Sequence, residues 1–105
     1  MTTEAKVIAV GAVAAFCRPA LDQQTWINAL YPFLSQTAAV SYETVNPGRV
    51  PCTAVMGDAR LRDTDGSYTT RVFVPTDAGE YSVLLNRSDV SDPWLVEQIT
   101  PYTGG

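Results

Sequence analysis

Two cysteines are the residues of this sequence with the most specific chemistry. Cys17 and Cys52 are the only two in the 105 residues. A disulfide between them would close a loop of more than thirty residues and would stabilise the fold by roughly 3–4 kcal/mol. The alternative is a pair of buried free thiols, which behave as small apolar side chains. The sequence alone leaves both possibilities open. Two cysteines without any histidine make no structural zinc site, so we predict no metal ligands.

Carboxylates are the next candidates for chemistry. The sequence contains no histidine, the commonest general base. A carboxylate that acts as a general acid or base has its pKa tuned by burial in an apolar pocket. Asp58, on either face of a predicted strand, and Glu43, on a predicted helix, are the two candidates. A solvated carboxylate is the simpler interpretation of each, so we predict no catalytic and no cofactor-binding residue. Asp22 is assigned to a helix cap, and Asp63, Asp65 and Asp77 are assigned to turns.

The charge balance argues against nucleic acid as a partner. The formal net charge is −4, only 17% of the residues are charged, and the basic residues form no cluster along the chain. Arg60, Arg62 and Arg71 would form a small anion site if their strands were neighbours in a sheet.

The aromatic residues offer a second kind of site. Trp26 is expected in the core, whereas Trp94, after a proline at the start of a strand, is also compatible with an interaction role. The tyrosines would either line a ligand pocket or pack at its rim with their hydroxyls in water, and the second is favoured. These are Tyr31, Tyr42, Tyr68, Tyr81 and Tyr102.

Helices are expected in the first half of the chain. The first spans about residues 3–18, with an apolar stripe predicted at Val7, Val10, Ala14 and Cys17, and Val13 beside it. Gly11 weakens this helix unless another group packs closely against it. Although the first twenty residues superficially resemble a secretory signal, the apolar run is too short to span a bilayer, and we predict a folded helix.

Two shorter helices follow. In "TWINALYPFLS", Trp26, Leu30, Phe33 and Leu34 share one face, and Pro32 is expected to break or kink the helix at Tyr31. In "QTAAVSYETV", Ser35 is the predicted cap, and the residues predicted to point inward are Ala38, Tyr42 and Val45.

Strands are expected from Cys52 onward. The first covers residues 52–63, with Val55, Ala59 and Leu61 in one phase and a bulge at Gly57. A turn at residues 63–67 leads to "YTTRVFVP", where Tyr68, Val72 and Val74 face one side and Thr69, Arg71 and Phe73 the other. A hairpin from Gly79 to Tyr102 adds two more strands, with Tyr81, Val83 and Leu85 in phase. Helices followed by strands predict an α+β domain of three helices on a curved four-stranded antiparallel sheet.

This pattern resembles the nuclear transport factor 2-like superfold, a cone of helices against a bent sheet. The resemblance spans nearly the whole chain and is carried by "AVAAF", "TWINALYPFLS", "RVP", "VFVPTDAGEYSVLLNR" and "DPWLVEQITPY". Within the superfold it resembles the extracytoplasmic domains of TcpC-like conjugation proteins and type IV secretion assembly factors, such as those of actinobacterial mobile elements and phages. In those domains a closing "W-x-V" segment lies beside the third strand, and Trp94 with Val96 matches it.

The length of 105 residues predicts a single domain, residues 1–105. The resemblance implies that this domain is non-enzymatic and contacts other protein subunits or copies of itself. It also implies an extracytoplasmic location, with a membrane anchor elsewhere in a longer protein and no cofactor. Two alternatives stay open. One is a ligand-binding or isomerase-like cone, which requires a cavity with an ionisable group inside, and the other is a soluble phage protein that binds a host factor.

Overall fold

The computed structural model describes residues 2–61, 68–89 and 91–102, and these form the expected α+β arrangement. The described part of the chain contains three α-helices, which precede a four-stranded antiparallel sheet of strand order β1-β2-β3-β4 that does not close on itself. The helices are α1 (Thr2–Phe16), α2 (Gln23–Leu30) and α3 (Gln36–Tyr42). The strands are β1 (Arg60–Leu61), β2 (Thr69–Thr76), β3 (Gly79–Asn86) and β4 (Leu95–Pro101). The cone shape implied by the resemblance stays a prediction.

The two short helices begin where their capping residues predict. The Asp22 carboxylate accepts from the Thr25 amide at 3.3 Å, and the Ser35 hydroxyl accepts from the Ala38 amide at 3.1 Å. Each bond satisfies one of the backbone N–H groups left without a partner in a first helical turn. Helix α2 ends at Leu30, and Pro32 lies in a short 3₁₀ turn, Tyr31–Phe33, which confirms the predicted break.

The buried face of α1 differs from the predicted stripe. Val7 is 65% exposed and Ala14 is also exposed, so the stripe through these two residues is wrong. The face that packs against α2 and the sheet combines three alanines with three larger side chains. Its members are Ala5, Ala9, Ala12, Val13, Phe16 and Cys17.

Gly11 lies against an aromatic ring. A Cβ atom at this position would stand 2.9 Å from Cε1 and 3.0 Å from Cζ of Phe33. The glycine therefore lets α1 contact the 3₁₀ turn, at a cost in helix propensity of about 1 kcal/mol.

The two faces of the sheet have different surroundings. In the β2–β3 register, Val72 pairs with Val83 and Val74 with Tyr81, and these side chains are fully or almost fully buried on the face toward the helices. Phe73 pairs with Ser82 and Arg71 with Leu84 on the opposite face, which we call the outer face. Trp26, Leu30, Leu85 and Val96 complete the core.

The first strand is much shorter than predicted. Within residues 52–61, which the structure describes, only Arg60–Leu61 pair continuously with β2, and one isolated bridge joins Val55 to Thr76. Between the two, Gly57 has a φ of +96°, a backbone conformation that interrupts the ladder and favours glycine. The predicted turn at residues 63–67 lies outside the described residues.

Cys17 and Cys52 are joined by a disulfide in the structure, with their Cα atoms 4.9 Å apart. Both side chains are almost fully buried, at 1% and 0% exposure. The bond links the residue after α1 to the segment that precedes the sheet. Close by, the Trp26 indole N–H donates to the Phe16 carbonyl at 2.9 Å, and the aromatic rings of Phe16 and Trp26 are in contact.

Replacing Gly11 should have effects of opposite sign in two backgrounds. We expect Gly11→Ala to destabilise the protein by about 1 kcal/mol net, because the new methyl group displaces the Phe33 ring. In a Phe33→Ala background the same change should instead stabilise by up to about 1 kcal/mol, through helix propensity alone. Urea unfolding of the four proteins measures both values, and an equal effect in the two backgrounds would contradict the contact.

Removing the disulfide should be strongly destabilising. Cys17→Ala with Cys52→Ala should lower the free energy of unfolding by about 3–4 kcal/mol, because the unfolded chain is no longer constrained by the loop. Chemical denaturation without reductant measures this difference. Wild-type protein unfolded and refolded in reductant is the control and should match the double variant. A loss below about 1 kcal/mol would show that the loop contributes little.

Candidate interaction surface

Five residues on the outer face of the sheet form a compact group, which we call the sheet-face cluster: Arg60, Arg71, Phe73, Ser82 and Tyr102. They line a depression of about 570 Å³. Strand pairing places them together, since Arg60 pairs with Phe73, and Phe73 pairs with Ser82 on the next strand. The Tyr102 amide donates to the Glu80 carbonyl at 2.8 Å, which extends the β3–β4 pairing and brings the tyrosine onto this face.

Phe73 forms the floor of the depression. The Arg60 guanidinium lies 4.5 Å from the centroid of its ring, and the Tyr102 ring centroid is also 4.5 Å away. These two neighbours leave Phe73 only 6% exposed although none of the described helices covers this face. A guanidinium over an aromatic ring is attracted by the ring's quadrupole, so the cluster is ordered by its own contacts.

Glu80 holds Arg60 in this position. The Glu80 carboxylate accepts from Nε of Arg60 at 3.2 Å and from its Nη2 at 2.9 Å. The hydrogen bond to Glu80 raises the pKa of Arg60 above its ordinary value. Because the Arg60 side chain is 59% exposed, this ion pair orients the guanidinium more than it stabilises the fold.

Arg71 is held by a different partner. Its Nη1 donates to the Ser82 hydroxyl at 2.6 Å, and Ser82 is only 4% exposed. The prediction that arginines gather on neighbouring strands therefore holds for Arg60 and Arg71, which line the same depression. The third predicted member, Arg62, lies outside the described residues.

The two carboxylates considered for acid–base chemistry both lie at the surface. Asp58 and Glu43 are exposed. The Glu43 carboxylate accepts a hydrogen bond from the Tyr31 hydroxyl at 3.0 Å, and this bond raises the pKa of Tyr31. Neither carboxylate is buried in the core; Asp58 lines an open surface depression with Lys6, Val7, Val10 and Ala59.

Tyr42 does not leave its hydroxyl in water, so the rim interpretation is wrong for this tyrosine. The hydroxyl donates to the Ile99 carbonyl at 3.2 Å and accepts from the Ile99 amide at 2.8 Å. Burial raises the pKa of Tyr42, so the phenol stays protonated and able to donate. The Ser35 amide donates to the Val96 carbonyl of the same strand at 2.9 Å. Because β4 is an edge strand, these bonds occupy the backbone groups to which another strand would otherwise pair.

Trp94 is less available for interaction than its sequence context suggests. Its side chain is 5% exposed, and the Arg87 guanidinium lies 4.3 Å from its ring centroid. Trp26, in contrast, is fully buried as predicted. Exposed aromatic rings are found instead at Tyr31, Tyr68 and Tyr102, and of these three Tyr102 belongs to the sheet-face cluster.

The sequence carried a partial signal for the sheet-face cluster. The alternation in β2 placed Arg71 and Phe73 on one face, opposite Val72 and Val74. The roles of Ser82 and Glu80 were missed, because their positions opposite Phe73 and beside Arg60 depend on the register between strands. Glu80 and Ser82 flank Tyr81 in β3, and side chains alternate between the two faces of a strand. This alternation was the available indication that both lie on the face opposite Tyr81.

The part of the chain that the structure describes shows neither a cluster of metal-ligating residues nor a helix that could span a membrane. It contains no group of three or more histidine, cysteine or acidic side chains placed to hold a metal ion. Among the described helices, none combines the length and the apolar character that crossing a bilayer requires. Comparisons with protein-family models, with curated proteins and with solved structures found no match.

Removing the Tyr42 hydroxyl should expose the β4 edge. We expect Tyr42→Phe to lower the free energy of unfolding by about 1–3 kcal/mol, because the Ile99 amide and carbonyl lose their partner. Faster hydrogen exchange at the Ile99 amide should accompany the loss. Tyr31→Phe is the matched control, since its hydroxyl bonds Glu43 at the surface, and it should change stability by no more than about 0.5 kcal/mol. Equal effects of the two substitutions would contradict the edge contact.

Proposed function

We propose that this protein is a non-enzymatic protein-interaction domain that uses the outer face of its sheet. The observation that carries the proposal is the difference between the two faces. On the helix side, Val72, Val74, Val83 and Leu85 are buried in a filled core. The outer face instead presents the sheet-face cluster, together with half-buried Leu84 and Leu95, without a covering element among the described residues.

The composition of this face suits a protein partner. Tyrosine and arginine are enriched where proteins bind one another, and lysine and glutamate are depleted there. The cluster combines two arginines with two aromatic rings that are already in contact. Side chains ordered in this way lose little conformational entropy on binding, which favours affinity.

The narrower proposal follows from the resemblance. We propose an extracytoplasmic assembly domain of a conjugation or type IV secretion-like system, anchored to the membrane within a longer protein. The disulfide between Cys17 and Cys52 supports it, because disulfides persist mainly in oxidising compartments. A domain of this kind contacts other subunits and associates with copies of itself.

Site-specific photocrosslinking in the source cells tests the interaction role. A photoreactive residue in place of Gln98, exposed on the outer face opposite Leu84, should yield discrete adducts with protein partners. The same residue in place of Ala29, exposed on α2, is the control and should yield none. Absence of adducts at Gln98, or equal adducts at both positions, would contradict the proposal. Mass spectrometry of the adducts then tests the narrower assembly role.

The compartment has a separate test. Cells quenched in acid and treated with a thiol-alkylating reagent under denaturing conditions should show Cys17 and Cys52 unlabelled before reduction and labelled after it. Protease added from outside should cleave the protein in intact cells. Free thiols in protein that is protected from the protease would contradict the extracytoplasmic proposal, although the interaction surface would remain.

A further inference from the structure

The sheet-face cluster has more hydrogen-bond donors than acceptors. Each guanidinium carries five N–H donors. Arg60 uses two atoms on Glu80, and Arg71 uses one on Ser82, so both keep donors for another group. Among the described residues, the carboxylate that contacts the cluster is Glu80, which is already engaged with Arg60. A ligand that supplies acceptors is therefore complementary to this depression.

The charges indicate which acceptor fits. Two guanidiniums and the Glu80 carboxylate give the depression a local excess of one positive charge, whereas the whole chain carries a net charge of −4. The overall negative charge disfavours a long polyanion, which would also meet the acidic remainder of the surface. A single carboxylate meets only the local excess of positive charge. Its two oxygens also match the planar fork of an arginine.

The floor of the depression adds an apolar requirement. The Phe73 ring lies beneath Arg60 and beside Tyr102, and the Tyr102 ring is 39% exposed. A volume of about 570 Å³ has room for a carboxylate and one neighbouring side chain. A free inorganic anion would leave the aromatic surface unused.

We propose that the sheet-face cluster binds one aspartate or glutamate carboxylate in a segment of a partner protein, with an adjoining apolar side chain packed on Tyr102. Arg71 donates to the carboxylate. Ser82 is a positioning residue, because its buried hydroxyl fixes the Arg71 guanidinium over the depression. This inference rests on the proposed function and names the chemistry of the partner.

A pair of blocked dipeptides tests the carboxylate. N-acetyl-Phe-Glu-amide, titrated into the isotopically labelled protein at low ionic strength, should shift the NMR signals of Arg71, Ser82 and Tyr102, with a dissociation constant of about 1–10 mM. N-acetyl-Phe-Gln-amide differs only in its charge and acceptor geometry, and it should bind about tenfold more weakly. Equal binding of the two peptides, or shifts confined to other surfaces, would overturn the proposal.

Substitutions of Arg71 test whether its planar guanidinium binds the carboxylate. Arg71→Gln should weaken binding of the glutamate peptide about tenfold, and Arg71→Lys, which keeps the charge but not the planar fork, should also weaken it. Arg18→Gln makes the same charge change at an exposed position after α1 and should bind as the wild type does. Unchanged amide spectra confirm that each variant is folded. If Arg18→Gln weakens binding as much as Arg71→Gln, net charge explains the effect and the site is disproved.

Two further arms separate this inference from the proposed function. The first arm measures binding of a short single-stranded oligonucleotide to the cluster. Tighter binding than that of the glutamate peptide would indicate a polyanion as the ligand and would overturn the inference. The second arm repeats the crosslinking from position 98 in the Arg71→Gln variant. If the crosslinks persist and the peptides do not bind, the interaction surface is supported and the carboxylate ligand is rejected. Peptide binding without any crosslink would reject the interaction role and leave a small-ligand site.

Discussion

The fold depends on the junction at the carboxyl end of α1, where covalent, aromatic and hydrogen-bonded contacts meet in two consecutive residues. The Phe16 ring contacts Trp26, Tyr42 and Tyr81, one from each of α2, α3 and β3. Its carbonyl accepts from the Trp26 indole, and Cys17 is bonded to Cys52. Every layer of the domain therefore touches this point. Changes here should be transmitted to the helices and the sheet together, whereas changes on the outer face should not.

The two faces of the sheet have separate roles, one in the core and the other at the surface. Its helix side contributes apolar side chains that are fully buried, and this burial accounts for most of its stabilising effect. Its outer side is ordered by short-range contacts of arginine with aromatic and acidic groups. Since the β4 edge is occupied by Tyr42 and Ser35, association by strand addition at that edge is disfavoured. A partner is thus directed toward side chains of the outer face and away from the backbone of β4.

Local rules predicted much of this architecture. The caps at Asp22 and Ser35 follow from side chains that bond amides three residues away, and strand alternation placed Val72 and Val83 in the core. The face of α1 was mispredicted because hydropathy favours Val7 over Ala9, whereas the structure buries Ala9 and leaves Val7 65% exposed. The partners of Tyr42 and Arg71 were not predictable, since 57 residues separate Tyr42 from Ile99 and register decides which side chains meet.

The disulfide also determines how the domain would respond to mechanical load. Cys17 and Cys52 are 35 residues apart, and the closed ring that they define contains α2 and α3. Tension applied between the two ends of the chain would pass from α1 through the sulfur atoms to the sheet and would bypass both helices. About 120 Å of contour length stays locked while the bond is intact. Reduction would release that length, so the redox state of one bond sets how far the domain extends under force.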